Sequence, residues 1–139
     1  MSEIITPDMT FIKSVMQNDR VWKWTGCDGV EKATIIPQPD EIYFQIAQLG
    51  YIMFREILPG VFEIHISMLK SPPDLPRFIH ATLNVMRSNG AIKFIAPIGG
   101  WNRPALRLAE TCGFIIEGEI TRVYKRAGKL YSMVLWGSE

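Results

Sequence analysis

Trp101-Asn102-Arg103-Pro104-Ala105-Leu106-Arg107-Leu108-Ala109-Glu110-Thr111-Cys112-Gly113-Phe114-Ile115-Ile116-Glu117-Gly118 is the stretch from which the rest of the chain can be read. Asn102 is a helix-capping residue, and Pro104 fits a first turn, where its missing N–H is no loss. Gly113 supplies the left-handed residue that ends a helix. The spacing predicts a helix of about three turns. Ala105, Leu106, Leu108, Ala109 and Cys112 recur at helical spacing, and Phe114-Ile115-Ile116 then opens a β-branched run that reads as a strand.

Upstream of this stretch, Ala91 to Ile98 reads as a buried strand followed by Gly99-Gly100. Before it, Leu75 to Asn89 reads as a helix with Phe78, Ile79, Thr82, Leu83, Val85 and Met86 on one face. Three β-type segments precede that helix: Ile42 to Ala47, Tyr51 to Ile57 and Val61 to Leu69, separated by Gly50 and by Pro59-Gly60. These are hairpin signals, and three antiparallel strands in succession form a meander. At the start, Thr6-Pro7-Asp8 followed by Phe11, Ile12, Val15 and Met16 predicts a capped amphipathic helix ending near Asn18. Val21 to Val30, with Trp22, Trp24, Gly26 and Gly29, reads as an irregular or partly helical connection. Downstream, Phe114 to Tyr124, a turn at Arg126-Ala127-Gly128-Lys129, and Leu130 to Trp136 make a terminal hairpin. The order is mixed α+β, an α/β sandwich with helices flanking a mostly antiparallel central sheet.

Composition narrows the function classes. The 139 residues are 47% hydrophobic, enough for one cored domain and too few for two typical ones, so residues 1–139 read as a single domain. Fifteen basic against fourteen acidic residues leave a formal charge of +1, which gives no electrostatic case for nucleic acid or an acidic membrane. Cys27 and Cys112 are far apart and lie in no Cys/His cluster, so neither a disulfide scaffold nor a metal site is expected. The first residues lack a basic segment and a long apolar run, and no stretch reaches membrane-spanning length. The expectation is a cytoplasmic protein.

The order Asn102-x-x-Ala105, leucine, Gly113-Phe114, Glu117-Gly118 resembles the last helix and following strand of the GNAT superfamily of N-acetyltransferases. The likeness is to members that modify protein N-termini and to small phage-encoded ones, for which the setting would be host cytoplasm or virion. The element order agrees over essentially the whole chain, although the family's first strand is short or missing. The resemblance implies a domain that binds acetyl-coenzyme A in a V-shaped opening between two splayed strands, here Val61 to Leu69 and Ala91 to Ile98. The pantetheine arm would pair with the first strand's backbone at Ser67, Met68 and Leu69, and meet Asn102 and Ala105 at the start of the last helix. Lys70 and Arg77 flank the loop where the family's pyrophosphate rests on backbone N–H groups, an arrangement that uses the unpaired donors of a helix start. Here that loop, Lys70-Ser71-Pro72-Pro73-Asp74-Leu75-Pro76-Arg77, has no glycine and three prolines, each removing a donor. Read without the resemblance, it is a rigid strand-to-helix turn with Asp74 as N-cap, and Asn102 is an ordinary cap as well.

Many members place a thiolate-protonating Tyr seven residues beyond the Asn, where this chain has Ala109. Members acting on protein N-termini often lack it too. A general base must take a proton from an ammonium-type acceptor. Glu63 and His65 are the catalytic candidates, sharing one side of a strand with Ser67; a free imidazole, with a pKa of about 6.5, suits the task, and Glu63 would act through water if burial raised its own pKa. A polar row on a strand also serves simply as hydrogen-bonded surface. His80 reads as a structural or surface residue. Trp22 and Trp24 fall in the segment that, by resemblance, forms the acceptor wall. Arg122, Lys125, Arg126 and Lys129 make a basic cluster on the terminal hairpin, and Glu117-Gly118 with Arg122 echoes the N-terminal-type acetyltransferases.

Two functions follow as expectations. One is transfer of an acyl group from acetyl-coenzyme A to a primary amine, on a small molecule or a protein N-terminus. The other is a GNAT-like protein without catalysis in a phage assembly or virion role, favoured by the proline-rich loop and Ala109. The exposed edges of the terminal hairpin leave room for a homodimer.

Overall fold

A computed structural model describes residues 3–139. A seven-stranded sheet in the order β1-β2-β3-β4-β5-β7-β6 forms its centre. The strands are β1 (Ile4–Ile5), β2 (Glu41–Ile46), β3 (Gly50–Leu58), β4 (Val61–Met68), β5 (Lys93–Gly99), β6 (Ile115–Arg126) and β7 (Lys129–Ser138). The helices are α1 (Met9–Met16), α2 (Asp19–Thr25), α3 (Leu75–Ser88) and α4 (Arg103–Thr111), with a 3₁₀ turn at Lys32–Thr34. The expected mixed, mostly antiparallel α+β architecture is present: β2, β3 and β4 form the meander, and β4 and β5 form a parallel pair.

Helix starts follow their caps. Asp8 accepts from the amides of Thr10 at 3.0 Å and Phe11 at 3.4 Å. The α1 start is fixed to the sheet by Gln45, fully buried, whose Oε1 accepts from the Asp8 amide and whose Nε2 donates to the Ala47 carbonyl, both at 2.8 Å. Such complete pairing is what makes a buried amide side chain tolerable. The expected end of α1 near Asn18 is correct, but Asn18 also opens the next helix, accepting from Arg20 and Val21. Of the segment read as irregular or partly helical, the part through Thr25 is helix, because a single Asn serves as both stop and cap. Asn102 caps α4 through Ala105, and Gly113 takes φ +83° where that helix ends. Asp74 stands at the cap position of α3, yet its side chain bonds no helix amide, contrary to expectation. The first strand, expected to be short or missing, is short: the two residues of β1, paired with the end of β2.

Strand alternation divides the core into two layers. On one face Ile52, Phe54, Phe62, Ile64 and Phe94 pack under Leu75, Ile79, Leu83 and Met86 of α3 and Ala109 of α4. On the other, Tyr43, Tyr51 and Met53 pack against Ile12, Val15, Met16 and Val21 of α1 and α2. Phe54 and Phe94, both fully buried, meet edge to face at 5.6 Å across β4. Each such side chain buries area worth about 2–3 kcal/mol, so this pair anchors the point from which the middle strands diverge.

Candidate active site

The two middle strands separate part way along their length. β4 and β5 are paired at Val61 with Lys93, Phe62 with Phe94 and Glu63 with Ile95, and no further. Beyond that point β4 remains paired with β3 as far as Met68, while β5 turns to β7. The Leu69 amide donates to the Leu49 carbonyl, so residues alternating from Leu69 bond towards β3. The N–H and C=O of Ile66, and the N–H of Met68, point instead to the side that β5 has left.

A cleft of about 840 Å³ passes through the sheet at this fork. Towards α3 and α4 its lining is mostly apolar, with Leu75, Ile79, Ala105, Leu108, Ala109 and Cys112, joined by Arg107 and Thr111 of α4. Burial pushes the Cys112 thiol up to about 11, so the sulfur there stays protonated. Asn102 stands where β5 gives way to α4. Its Oδ1 accepts from the Ala105 amide at 3.3 Å, and its Nδ2 has no partner among the described residues.

Towards α1 and α2 the lining is aromatic and polar: His65, Ser67, Trp24, Trp101 and Tyr124. Behind His65 runs a row of charge. Arg55 Nη2 lies 2.6 Å from Glu63 Oε1, and Glu41 Oε2 is 3.9 Å from Arg55 Nη1. Tyr43 donates its hydroxyl to Glu41 at 2.7 Å. Glu63 Oε1 is also 3.5 Å from Nε2 of His65. The imidazole and the Arg55 guanidinium outweigh burial and hold the Glu63 carboxyl down at about 2. The condition under which Glu63 would act through water, a carboxyl raised by burial, is therefore not met: the neighbouring imidazole and the guanidinium across the strand pair outweigh desolvation.

This aromatic side is stapled across the fork. Trp101 Nε1 donates to the Trp24 carbonyl at 2.7 Å, and the Trp101 ring meets Tyr124 and Tyr131 edge to face at 4.9 and 5.5 Å. The Arg126 guanidinium lies 4.5 Å over that ring and donates to the Lys23 carbonyl. Asp28 accepts from the amides of Ala127 and Gly128, each at 3.0 Å, and these bonds hold its carboxyl below the usual range. Of the basic cluster read from the terminal hairpin, Arg126 thus has a structural task. Gly99 permits the arrangement, since a Cβ there would run into the Trp101 ring.

The structure brings together His65, Ser67, Met68, Leu69, Asn102 and Ala105 around the cleft. Glu63 lies behind His65 rather than in the lining. Lys70 and Arg77 are exposed and outside the lining, and His80 is exposed on α3. Trp24 lines the cleft, whereas Trp22 folds back over Gly26. Sequence reasoning missed Arg20, Arg107, Trp101 and Tyr124, which also line it. The helical period of α4 would have placed Arg107 beside Leu108 and Thr111, but Tyr124 is brought in only by the fold. Among the described residues no cluster of metal-ligating side chains occurs, and no helix is long and apolar enough to cross a membrane.

A sheet forked between parallel middle strands, with two helices on each face, is the GNAT fold, and solved structures bear this out. The spermidine N-acetyltransferase of Vibrio cholerae, crystallised with CoA and spermine, superposes with TM-score 0.76 at 18% identity over 99% of this chain and 94% of that one. A GNAT-family acetyltransferase from Bacillus anthracis matches with TM-score 0.73 at 14% identity over 99% and 93%. The ribosomal-protein-S5-alanine acetyltransferase of Vibrio fischeri matches with TM-score 0.73 at 13% identity over 99% and 91%. No protein-family model and no curated protein matches the sequence.

Proposed function

We propose that this protein transfers an acyl group from the thioester of acetyl-coenzyme A to a primary amine, carried by a small molecule or a protein N-terminus. The observation that carries this reading is the fork: Ile66 and Met68 leave an unpaired backbone edge on β4, facing an apolar wall and the unpartnered Nδ2 of Asn102. An extended amide chain can pair with such an edge as a further strand would. Coenzyme A in the Vibrio cholerae structure and amine substrates in the names of two neighbours support the same chemistry.

In this reading the donor enters from the α3 and α4 side and the amine from the α1 and α2 side, meeting in the fork. Most of the acceleration comes from alignment of the two reactants, worth up to about 7–11 kcal/mol where the geometry is a near-attack one. A β4 amide aimed into the fork polarises the thioester carbonyl. His65 takes the amine proton. With its Nε2–H directed to Glu63, Nδ1 is the ring nitrogen that accepts, and the Glu63 carboxylate lies beside the imidazolium so formed. Glu63 is then a positioning residue and not the base. Ala109 gives no proton to the departing thiolate, which is protonated from solvent.

Isothermal titration with acetyl-coenzyme A and free coenzyme A, followed by an amine acceptor screen, tests the proposal. Micromolar binding with turnover that falls about 10²–10⁴-fold in His65→Ala is the expected result. No heat and no thermal stabilisation at millimolar ligand refutes it and favours the non-catalytic assembly role.

A further inference from the structure

We infer that the cleft recognises its donor by the pantetheine arm, and that the adenosine pyrophosphate adds little to affinity. This rests on the acyl-transfer reading and refines it by naming which part of the donor is read. A thioester on a pantetheine arm is then a competent ligand whether the arm belongs to coenzyme A or to a carrier protein.

The amides at the start of α3 decide the matter. Between Ser71 and Phe78, Pro72, Pro73 and Pro76 have no N–H to offer. The Leu75 amide donates to the Pro72 carbonyl at 3.1 Å, and the Arg77 and Phe78 amides donate to the Asp74 carbonyl at 3.0 and 3.4 Å. Only the amides of Ser71 and Asp74 remain uncommitted among the described residues, against the several converging donors that a helix-start phosphate site needs. Three fixed proline φ angles and the burial of Pro72 prevent the turn from swinging to present more. The Asp74 carboxylate, uncapped and half-buried, stands at the helix start, where it occupies the favourable end of the dipole with the same charge a phosphate would bring. Lys70 and Arg77 are exposed, so their attraction for phosphate is weakened by solvent and salt.

The inner part of the cleft shows the reverse. The β4 edge at Ile66 and Met68 is open, Asn102 keeps a free donor, and Leu75, Ile79 and Leu108 supply an apolar wall for the arm's methylenes. Recognition is built for amides and carbon chain, and stops where the nucleotide would begin.

Calorimetric titration of the intact protein with coenzyme A, 4′-phosphopantetheine and pantetheine tests this. Pantetheine is expected to bind within about tenfold of coenzyme A, the ratio changing little from low to high salt. A larger advantage for coenzyme A overturns the inference and leaves the acyl-transfer reading standing. Failure of all three to bind at millimolar concentration overturns both. Holo and apo acyl carrier protein, titrated alongside, identify the carrier of the arm: heat with the holo form alone points to a carrier protein. With pantetheine bound within that tenfold limit, heat with coenzyme A but not with holo carrier protein points to the free cofactor. Either result keeps the arm as the group recognised.

Discussion

Replacing Glu63 by Gln isolates what the charge row behind His65 contributes. Its carboxyl, held at about 2 against an ordinary 4.5, is ionised in the folded protein at every pH where the fold is useful. A folded pKa depressed below the unfolded one adds stability that is fully present above the unfolded value. That stability drains away as pH falls through the interval between the two. The window is therefore from pH 4.5 down to about 2. At 1.36 kcal/mol per unit the shift sets a ceiling near about 3 kcal/mol. Arg55 and His65 have side chains 40% and 37% exposed, so solvent screening reduces this to about 1–2 kcal/mol. Urea unfolding of wild type and Glu63→Gln at stepped pH measures it as a difference in which every other carboxylate cancels. The wild type should lose about 1–2 kcal/mol relative to the variant between pH 5 and pH 2. A difference independent of pH, or one of opposite sign, refutes the account of Glu63 as a carboxylate held by Arg55 and His65. In turnover the same variant should keep more activity than His65→Ala, because it removes the group that orients the base and leaves the base itself.

Three further substitutions separate structural from functional roles. Asn102→Asp keeps a cap for the Ala105 amide but deletes the Nδ2 donor, so stability should stay within about 0.5 kcal/mol while pantetheine binding weakens by about fivefold to tenfold; Asn102→Ala should lose about 1 kcal/mol as well. Gly99→Ala drives a methyl into the Trp101 ring and should destabilise by about 1–3 kcal/mol, with faster amide exchange in residues 19–28 as the tie to Trp24 is lost. Trp136 carries a buried indole N–H without a partner among the described residues. Trp136→Phe removes that penalty along with some apolar area and should change stability by less than about 1 kcal/mol, whereas Trp136→Ala should cost about 3–5 kcal/mol in thermal or urea unfolding.

Much of the fold was legible because its signals are local. Caps, glycines and periodicity located α1, α3, α4, the meander and the terminal hairpin within a residue or two. The α2 helix was obscured because Asn18 serves two helices at once and tryptophans at positions 22 and 24 interrupt a simple apolar stripe. At the site, the alternation of Glu63, His65 and Ser67 was readable, but the consequence for Glu63 was not. Its acidity depends on His65 beside it and on Arg55, which reaches it through register across the β3–β4 hairpin. The aromatic side of the cleft was less legible still. Trp24 and Trp101 are 77 residues apart in sequence, and Lys23 and Arg126 are 103 apart. Nothing in local pattern announces such pairs; they exist only once the hairpin and α2 lie on the same face of the sheet.

The separation of the apolar and polar sides of the cleft depends on one short turn. β4 presents Phe62, Ile64 and Ile66 to the α3 layer and Glu63, His65 and Ser67 to the α1 layer because residues alternate faces along a strand. A slip of one residue would send His65 into the apolar wall and isoleucines into the charge row. Register is set where β3 meets β4, at Pro59-Gly60. There Gly60 takes φ +76°, the Glu56 carboxylate accepts its amide at 3.1 Å, and a bulge between Glu56 and Leu58 absorbs the odd residue. The Gly60 carbonyl in turn accepts from Ile92 at 2.8 Å and Lys93 at 3.2 Å, which fixes where β5 begins to pair and therefore where it stops. The turn thus determines both which side of β4 His65 occupies and where the fork opens beside it. The side-chain chemistry of the site and the shape of the cleft follow from the same few backbone hydrogen bonds.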